Sequence, residues 1–324
     1  MSRDQPEQFL MASSWDKHVL ALHSIFAGPP GRHCLLWVNP AQSDPFEGGL
    51  LVEERKFRVP IKHPRFDLRY APYLVRLDLS RSKDSDVLAR SVELACRAWS
   101  LDSLRNMNGQ PICGWVAANG SSSELGHYWA RTCHLHYRQG LAKLLRFHDP
   151  AVREWLWPSL ELRQRQLMLG PAEKIFSISR TGELLTQGPA NEAGIYGDQA
   201  LPTDTLSLSE RQWDEVENYA AVHAAWLDLC SANPECREVL SRKPDWDRAA
   251  LDALHIAPSY GIRDLTDKAL FARHALDIGS GFHLHPLLQL VWDKTRTGDF
   301  YGPALEEVIG DSADRLAFHL HEKV

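Results

Sequence analysis

The sequence predicts an α/β N-terminal lobe, with a mixed sheet and flanking helices, followed by an all-α C-terminal lobe. In the first half of the chain, short apolar runs bounded by turn residues are typical of buried strands. Turn residues replace any periodic pattern between about Thr186 and Ser207, and beyond them the apolar residues follow a helical period. We therefore expect an α/β domain over residues 1–187, a linker over 188–208 and an α-helical domain over 209–324.

Strand and helix patterns alternate in the first lobe. Short apolar runs predict strands at Cys34–Val38, Tyr73–Leu77 and Ile112–Ala117, and a hairpin of His134–Tyr137 with Leu141–Phe147 around Gln139-Gly140. The helical spacing of apolar residues predicts helices at Trp15–Phe26 and Asp84–Trp99, and another after Asn119-Gly120. This alternation indicates a sheet with helices packed on it.

The second lobe has only the helical pattern. One stripe of its first helix contains Trp213, Val216, Ala220, His223, Leu227 and Cys230. Further helices are predicted at Asp245–Ile256, Asp264–Ile278, Pro286–Trp292 and Pro303–His319. Most of the eleven Trp occupy stripe positions in helices, which favours packing in the core, whereas exposed Trp would favour partner binding.

The composition is that of a soluble globular chain, with 44% apolar and 24% charged residues. The 42 acidic and 36 basic side chains give a net charge of −6 without a long basic block, so nucleic acid is not expected as a partner. The N-terminus is polar, so we expect no export signal. No run of about 20 apolar residues occurs, so we expect no membrane span. Six Cys without a C-x-x-C pair indicate reduced, buried thiols of a cytoplasmic protein.

The segment Arg146-Phe147-His148-Asp149-Pro150 predicts the change from a strand to a helix. Asp149 is suited to be the N-cap, because its carboxylate can accept a backbone N–H of the next turn, and Pro150 suits the first helical position. Arg146 is expected to pair with Asp149 or with another carboxylate. A second helical stretch ends at Gly170-Pro171, with Gly past the last turn. We interpret these residues as structural.

Three segments together resemble the domain-of-unknown-function family 4123, whose members act as adaptor chaperones of type VI secretion effectors. The segments are Ala71-Pro72-Tyr73-Leu74-Val75, Arg146-Phe147-His148-Asp149-Pro150 and Leu169-Gly170-Pro171, in the order and spacing of the family. The resemblance covers roughly residues 33–176. His148 stands where the family usually has an aromatic residue, often Tyr, and Asn39 stands where it has Asp.

The resemblance implies a cytoplasmic adaptor without catalysis, metal or cofactor. Such a protein recognises the N-terminal region of a cognate effector, keeps it soluble and brings it to the spike protein VgrG. The resemblance assigns no partner-binding residue. The matching positions are expected to serve the fold: Pro72, Tyr73, Leu74, Arg146, Phe147, Asp149, Pro150, Gly170 and Pro171. We hypothesise that residues from about Ser209 onward discriminate the effector and that the α/β lobe meets the spike.

An enzyme is the main alternative, namely a hydrolase or transferase that uses Ser121, His134 and Asp149 in a pocket of the α/β lobe. The sequence around Ser121 lacks both the G-x-S-x-G and the G-x-x-x-x-G-K-[ST] motifs. Ser121-x-x-Glu124 instead predicts a capping box, as does Ser209-x-x-Gln212. A scaffold or immunity-like protein with one partner is a third alternative.

Histidines offer a candidate metal site. His134 and His136 share a face of the predicted strand, and His127 and His148 are candidates to join them in the fold. No H-E-x-x-H motif or Cys pair supplies the third ligand that a zinc site requires, so we expect no metal. His285, just before the helix predicted at Pro286, is expected to act in a cap or an end turn.

Overall fold

The structure is a computed structural model, and it describes residues 5–27, 33–41, 44–47, 51, 53–63, 66–106, 108–132, 135–138, 141–189, 206–233, 235–236 and 246–321. The chain divides into two compact units, which we name the α/β unit (Met1–Gln212) and the helical unit (Trp213–Val324). Most of the linker expected at 188–208 lies outside the described residues. The predicted fold class is confirmed, because a six-stranded sheet with helices is followed by a region described as helical throughout.

The α/β unit contains six helices and eight strands among its described residues. The helices are α1 (Gln5–Phe26), α2 (Ser82–Ala98), α3 (Leu101–Arg105), α4 (Ser122–Thr132), α5 (Pro150–Leu156) and α6 (Leu162–Leu169). The strands are β1 (His33–Val38), β2 (Phe57–Arg58), β3 (Tyr73–Leu77), β4 (Ile112–Ala118), β5 (Leu135–Arg138), β6 (Leu141–Leu144), β7 (Ala172–Ile178) and β8 (Leu184–Gln187). Short 3-10 turns occur at Glu53–Arg55, Leu68–Tyr70 and Trp157–Ser159.

The six-stranded sheet has the order β2-β3-β1-β4-β7-β8, and β5 and β6 form a separate hairpin. The sequence predicted a mixed sheet, whereas every strand pairing that the structure describes is antiparallel. The reason lies in the position of β1. Strands β3 and β4 run parallel to each other, as expected for two strands joined by a helix, but β1 lies between them and pairs with both in the antiparallel sense.

Helices cover both faces of the sheet, and the contacts of two Trp side chains show which helix lies on which face. Trp37 of β1 pairs with Gly114 of β4, so Trp37 and the next residue of β4, Trp115, point to opposite faces. The indole of Trp115 donates to Oγ of Ser91 on α2 at 2.8 Å. The ring of Trp37 stacks on Trp129 of α4 at 4.2 Å. Helices α2 and α4 therefore cover opposite faces, which leaves all of β4 buried.

The edge of the sheet formed by β7 and β8 differs most from the sequence prediction. Strands β7 and β8 were not predicted, because Gly170-Pro171 was interpreted only as a helix end and not as the approach to a strand. The strand predicted to reach Phe147 ends at Leu144, since Phe147 turns into the core. His134 and Gln139-Gly140 of the predicted hairpin lie outside the described residues.

Six described helices follow in the second half of the chain: α7 (Glu210–Ala232), α8 (Trp246–Ile256), α9 (Leu265–Asp277), α10 (Gln289–Thr297), α11 (Tyr301–Ile309) and α12 (Leu316–His321). The single helix predicted at Pro303–His319 is two helices. Gly310 ends α11 with φ +72°, a conformation that favours glycine, and Ser312 caps a short turn before α12. Nδ1 of His285 accepts the backbone N–H of Leu287 at 3.2 Å, which confirms the predicted cap.

Asp267 and His274 are polar side chains that are buried in the helical unit. Asp267 on α9 accepts the backbone N–H groups of Tyr301 at 2.7 Å and Gly302 at 3.2 Å, so it satisfies the open amides at the start of α11. His274 lies between the hydroxyl of Tyr301, at 2.8 Å from Nδ1, and the carbonyl of Ala313, at 3.1 Å from Nε2. Because a carbonyl only accepts, Nε2 of the neutral ring donates to Ala313 and Nδ1 accepts from Tyr301.

Most of the tryptophans and the described cysteines are buried, as expected for residues that pack in the core. Seven of the eleven Trp are buried and four are half-buried, so none offers an exposed indole for a partner. Cys34, Cys96, Cys113 and Cys230 are buried free thiols, while Cys236 is half-buried. Burial raises the pKa of Cys96 to about 12, which keeps that thiol protonated. Cys133 lies outside the described residues, and none of the described helices combines the length and apolar character required to span a membrane.

We predict that His274 makes the stability of the protein depend on pH. Burial lowers the pKa of His274 from 6.5 to about 4. The stability that the neutral ring provides is complete above about pH 6.5 and is lost as the pH falls towards 4, because the unfolded chain binds the proton more tightly. This loss amounts to about 3 kcal/mol. Urea unfolding at pH 7 and pH 4.5 measures it.

His274→Gln is the comparison for this prediction, because its amide retains a donor and an acceptor but does not titrate. We expect the variant to lose less stability between the two pH values than the wild type. Equal losses in both proteins would contradict the assignment to His274.

Candidate functional site

The segment Arg146–Pro150 connects the hairpin to α5. The carboxylate of Asp149 accepts the backbone N–H of Ala151 at 3.0 Å, and Pro150 is the first helical residue, as predicted. Nη2 of Arg146 donates to Asp149 Oδ2 at 3.2 Å. Burial raises the pKa of Asp149 above its ordinary value, against the opposite effects of Arg146 and of the helix amides.

Phe147 anchors this segment in the core. Its ring is fully buried and lies 5.2 Å from the ring of Trp37 and 5.5 Å from that of Trp129. Aromatic contacts of this kind contribute packing and a preferred geometry beyond the buried area. Phe147 therefore fixes the segment against β1 and α4, which carry the two Trp residues.

Arg153 on α5 is the most unusual side chain of the site, because its guanidinium is fully buried. Nη1 donates to the carbonyls of Phe147 at 3.0 Å and His148 at 3.3 Å. Nη2 donates to the carbonyl of Cys113 at 2.6 Å, and Nε donates to Oε1 of Gln187 at 2.5 Å. One cation thus joins the motif segment, the central strand β4 and the strand β8.

The surroundings of Arg153 are shaped to hold a charged group. Its guanidinium lies 5.4 Å from the ring centre of Trp37, a favourable cation–π position. Gly114 beside it has φ +142°, and a Cβ there would lie 2.2 Å from the carbonyl oxygen of Phe176. Burial lowers the pKa of Arg153 to about 10, so the group remains a cation at neutral pH.

The first motif segment, in β3, takes part in a separate polar network. The hydroxyl of Tyr73 donates to Asp44 Oδ1 at 2.7 Å, and Nζ of Lys56 lies 2.8 Å from both Asp44 and Glu53. Burial alone would lower the pKa of Lys56, but its hydrogen bonds to the two carboxylates raise the pKa. Burial and the bond to Asp44 raise the pKa of Tyr73. Each group therefore keeps its ordinary protonation state at neutral pH.

Helix α4 contacts all three motif segments. Trp129 packs on Phe147 of the second segment. Gly126 faces the first segment, since a Cβ at this position would lie 3.8 Å from Cδ1 of Leu74. The first segment is also held from another side, because the carbonyl of Pro72 accepts the backbone N–H of Val59 at 2.8 Å.

The third motif segment meets α4 at Tyr128. Gly170 ends α6 with φ +57°, and a Cβ there would lie 2.1 Å from Cε1 of Tyr128. The hydroxyl of Tyr128 donates to the carbonyl of Leu167 at 2.9 Å. Gly170 is therefore required both by its backbone conformation and by the close approach of α4, while Pro171 leads into β7.

Ser121 and Asp149, the groups of the enzyme alternative, are used in helix caps. Ser121 Oγ accepts the backbone N–H of Glu124 at 3.1 Å, and the Glu124 carboxylate accepts the Ser121 N–H at 3.4 Å, which is the predicted capping box. Ser209 and Gln212 form the second predicted box.

These two groups also lie towards opposite ends of β4. The Asp149 segment meets the strand at Cys113 through Arg153, whereas Ser121 follows its last residue, Ala118. Cys113 and Ala118 are five residues apart on this strand, and at a rise of about 3.3 Å per residue the distance between them is about 17 Å. His134, the third group of the alternative, lies outside the described residues.

The predicted histidine group is described only in part. Nδ1 of His127 lies 2.8 Å from the Ser123 carbonyl, and its ring lies 5.2 Å from Phe57. His148 is buried near Trp37, with ring centres 6.5 Å apart. His134 and the side chain of His136 lie outside the described residues. Over the described part of the chain, no three His, Cys, Asp or Glu side chains form a group that could hold a metal ion.

Sequence reasoning missed Arg153 and α4 as the centre of the site. A signal for Arg153 was present, because it is spaced by three residues from both Pro150 and Leu156, the buried ends of α5. This spacing places an arginine on the buried face of a helix, where it requires acceptors. The acceptors come from distant segments that the spacing does not indicate.

We predict that Arg153→Met lowers the free energy of unfolding by at least about 3 kcal/mol, because several buried acceptors lose their donor. The measurement is urea unfolding of the purified protein. Arg146→Met is the matched control: the exposed Arg146 contributes one ion pair, to Asp149, so its loss should cost about 1 kcal/mol. Equal losses in the two variants would contradict the role assigned to Arg153.

We predict that Asp149→Ala lowers the free energy of unfolding by about 0.5 to 2 kcal/mol through loss of the N-cap. Asp149→Asn should stay within about 0.5 kcal/mol of the wild type, since Asn caps helices as well as Asp. Denaturant midpoints and partner binding are measured on the same samples. Binding that is abolished by Asp149→Ala at unchanged stability would make Asp149 a functional residue.

Residues 67–167 match the model of a family described as Domain of unknown function (DUF4123). The matched region contains β3, the Arg146–Pro150 segment and Arg153, and it ends within α6, before Gly170. Comparisons with curated proteins and with solved structures found no match. The matched family is the one that the three sequence segments resemble, so the match confirms that resemblance over residues 67–167, about a third of the chain.

Proposed function

We propose that this protein is a non-catalytic adaptor that binds the N-terminal region of a cognate type VI secretion effector and helps to load it onto the spike protein VgrG. The observation that carries the proposal is the DUF4123 match over residues 67–167. The same region contains two of the three segments by which the chain resembles type VI secretion adaptors, and the third follows directly.

The contacts of the motif residues support a structural role for these residues rather than a catalytic one. Arg146 and Asp149 pair with each other at the start of α5, and Phe147 is enclosed by two Trp rings. Tyr73 is held by Asp44. These side chains are engaged inside the α/β unit, so the proposed adaptor uses other residues of its surface for recognition.

The hydrolase or transferase alternative has less support. It requires Ser121 and Asp149 to meet in one pocket, but each is engaged in a helix cap, towards opposite ends of β4. Catalysis by a nucleophile needs its base within hydrogen-bond reach, about 3 Å. We therefore make the adaptor, and not this enzyme, our proposal.

The proposal includes a division of tasks between the two units. The DUF4123 match lies wholly within the α/β unit, so a task common to the family, contact with the spike, belongs there. Recognition of one particular effector belongs to the helical unit, where grooves between helices can accept an apolar segment of a partner. We place both steps in the cytoplasm, before secretion.

We predict that the tagged chain retains its cognate effector when the two are expressed together. Addition of the cognate VgrG should give a complex of all three proteins, detected by affinity purification and size exclusion. Deletion of the N-terminal region of the effector should abolish retention, because the proposed recognition element is removed.

An effector that belongs to another VgrG protein is the control, and it should not be retained. Failure to retain the cognate effector, with all proteins folded and expressed, would contradict the adaptor proposal. Turnover of an ester, peptide or phosphoryl substrate that is lost in Ser121→Ala would favour the enzyme instead.

A further inference from the structure

The two units differ in charge. The helical unit contains 11 Lys and Arg against 19 Asp and Glu, a net charge of −8. The α/β unit contains 25 basic and 23 acidic side chains, a net charge of +2. The negative charge of the chain is therefore concentrated in the helical unit, which favours encounters with a basic partner.

Helices α10 and α11 of this unit border a groove of about 530 Å³. The residues that line it are Leu290, Asp293, Lys294, Thr297, Glu307 and Val308. The groove lies on the outer sides of the two helices, because their inner sides, with Trp292 and Leu305, belong to the core of the unit. Its shape is thus set by a packed core.

Apolar side chains supply a place for an anchor in the groove. Leu290 is 64% exposed, although the next two residues, Val291 and Trp292, are fully or nearly fully buried. Val308 is half-buried at the edge of the core. Leu290 and Val308 would both lose water if an apolar side chain entered between them, which is the main source of binding energy in such a groove.

The polar groups of the groove determine the charge of the partner. Lys294 pairs with Glu307 at 2.8 Å, and Asp293 lies 3.8 Å from Arg296 outside the lining. The lining has two carboxylates and one ammonium group, and each carboxylate has a basic neighbour, so the groove is locally close to neutral within a unit of net charge −8. The negative field of the unit would attract a partner Lys or Arg at the rim, whereas it would repel an acidic partner.

We propose that this groove binds a basic amphipathic helix in the N-terminal region of the effector. The proposal rests on the adaptor function and names the chemistry of its cargo. Helices α10 and α11 each span about 13 Å, which matches two to three turns of a partner helix. Apolar anchors at i and i+3 or i+4 would meet Leu290 and Val308, with Lys or Arg beside Asp293 and Glu307.

The direct test uses two fluorescent 20-residue peptides with the same amphipathic pattern, one of Leu and Lys and the other of Leu and Glu. Fluorescence anisotropy measures their binding to the full-length protein. The Leu/Lys peptide is expected to bind at least about tenfold more tightly than the Leu/Glu peptide. Leu290→Ala and Glu307→Lys should each weaken its binding by about tenfold.

Matched controls separate the groove from the general charge of the unit. Leu265→Ala removes another exposed Leu of the same unit, 54% exposed, which does not line the groove. Asp252→Lys makes the same change in net charge as Glu307→Lys and likewise breaks a surface ion pair, that with Arg248. Both controls should bind like the wild type. If the groove variants bind the Leu/Lys peptide as tightly as these controls, the proposal is wrong.

The same four variants are then tested for retention of the co-expressed effector. Loss of retention in the two groove variants alone supports the proposal. Equal retention by all variants would overturn the groove as the effector site while leaving the adaptor function in place. No retention even by the wild type would overturn the adaptor function itself. A wild-type dimer that becomes monomeric in Leu290→Ala would assign the groove to a second copy of the chain and overturn the proposal.

Discussion

The packing at the centre of the α/β unit depends on one buried positive charge, that of Arg153. Transfer of a guanidinium out of water is costly, and acceptors must surround the group to offset that cost. Arg153 finds them on β4, on β8 and in the segment before α5. The acceptors on Gln187 and Cys113 lie 34 and 40 residues away along the chain. The charge is therefore accommodated only when the sheet has formed and α5 has docked on it.

The segments by which the chain resembles the DUF4123 family surround this contact and α4. One supplies two of the carbonyls to Arg153, one forms β3, and one ends α6 against Tyr128. Their hydrogen bonds and packing are directed to the interior of the unit. A stable α/β unit with an occupied interior suits a protein that is proposed to work by holding other chains, since its surfaces remain available to them.

In the helical unit, the polar contacts beside α11 are made by a neutral ring and by a carboxylate that caps the helix. His274 remains uncharged between Tyr301 and Ala313, and Asp267 holds the first amides of α11. These contacts fix the start of α11 beside the core, so the groove that it borders with α10 is formed before any partner arrives. Preformed grooves reduce the ordering cost of binding. The proposed basic helix would then meet a site already shaped, in a unit of net charge −8.

The sequence by itself determined the order of the two lobes, the central strands and the local caps at Asp149, Ser121, Ser209 and His285. These features depend on residues within a few positions of each other, so local hydrogen bonding and hydrophobic spacing are sufficient to predict them. Only the tertiary structure decided that β1 lies between β3 and β4, that Arg153 is buried and that α4 joins the three motif segments. Each of these depends on contacts between residues far apart in the chain, for which local spacing carries no information.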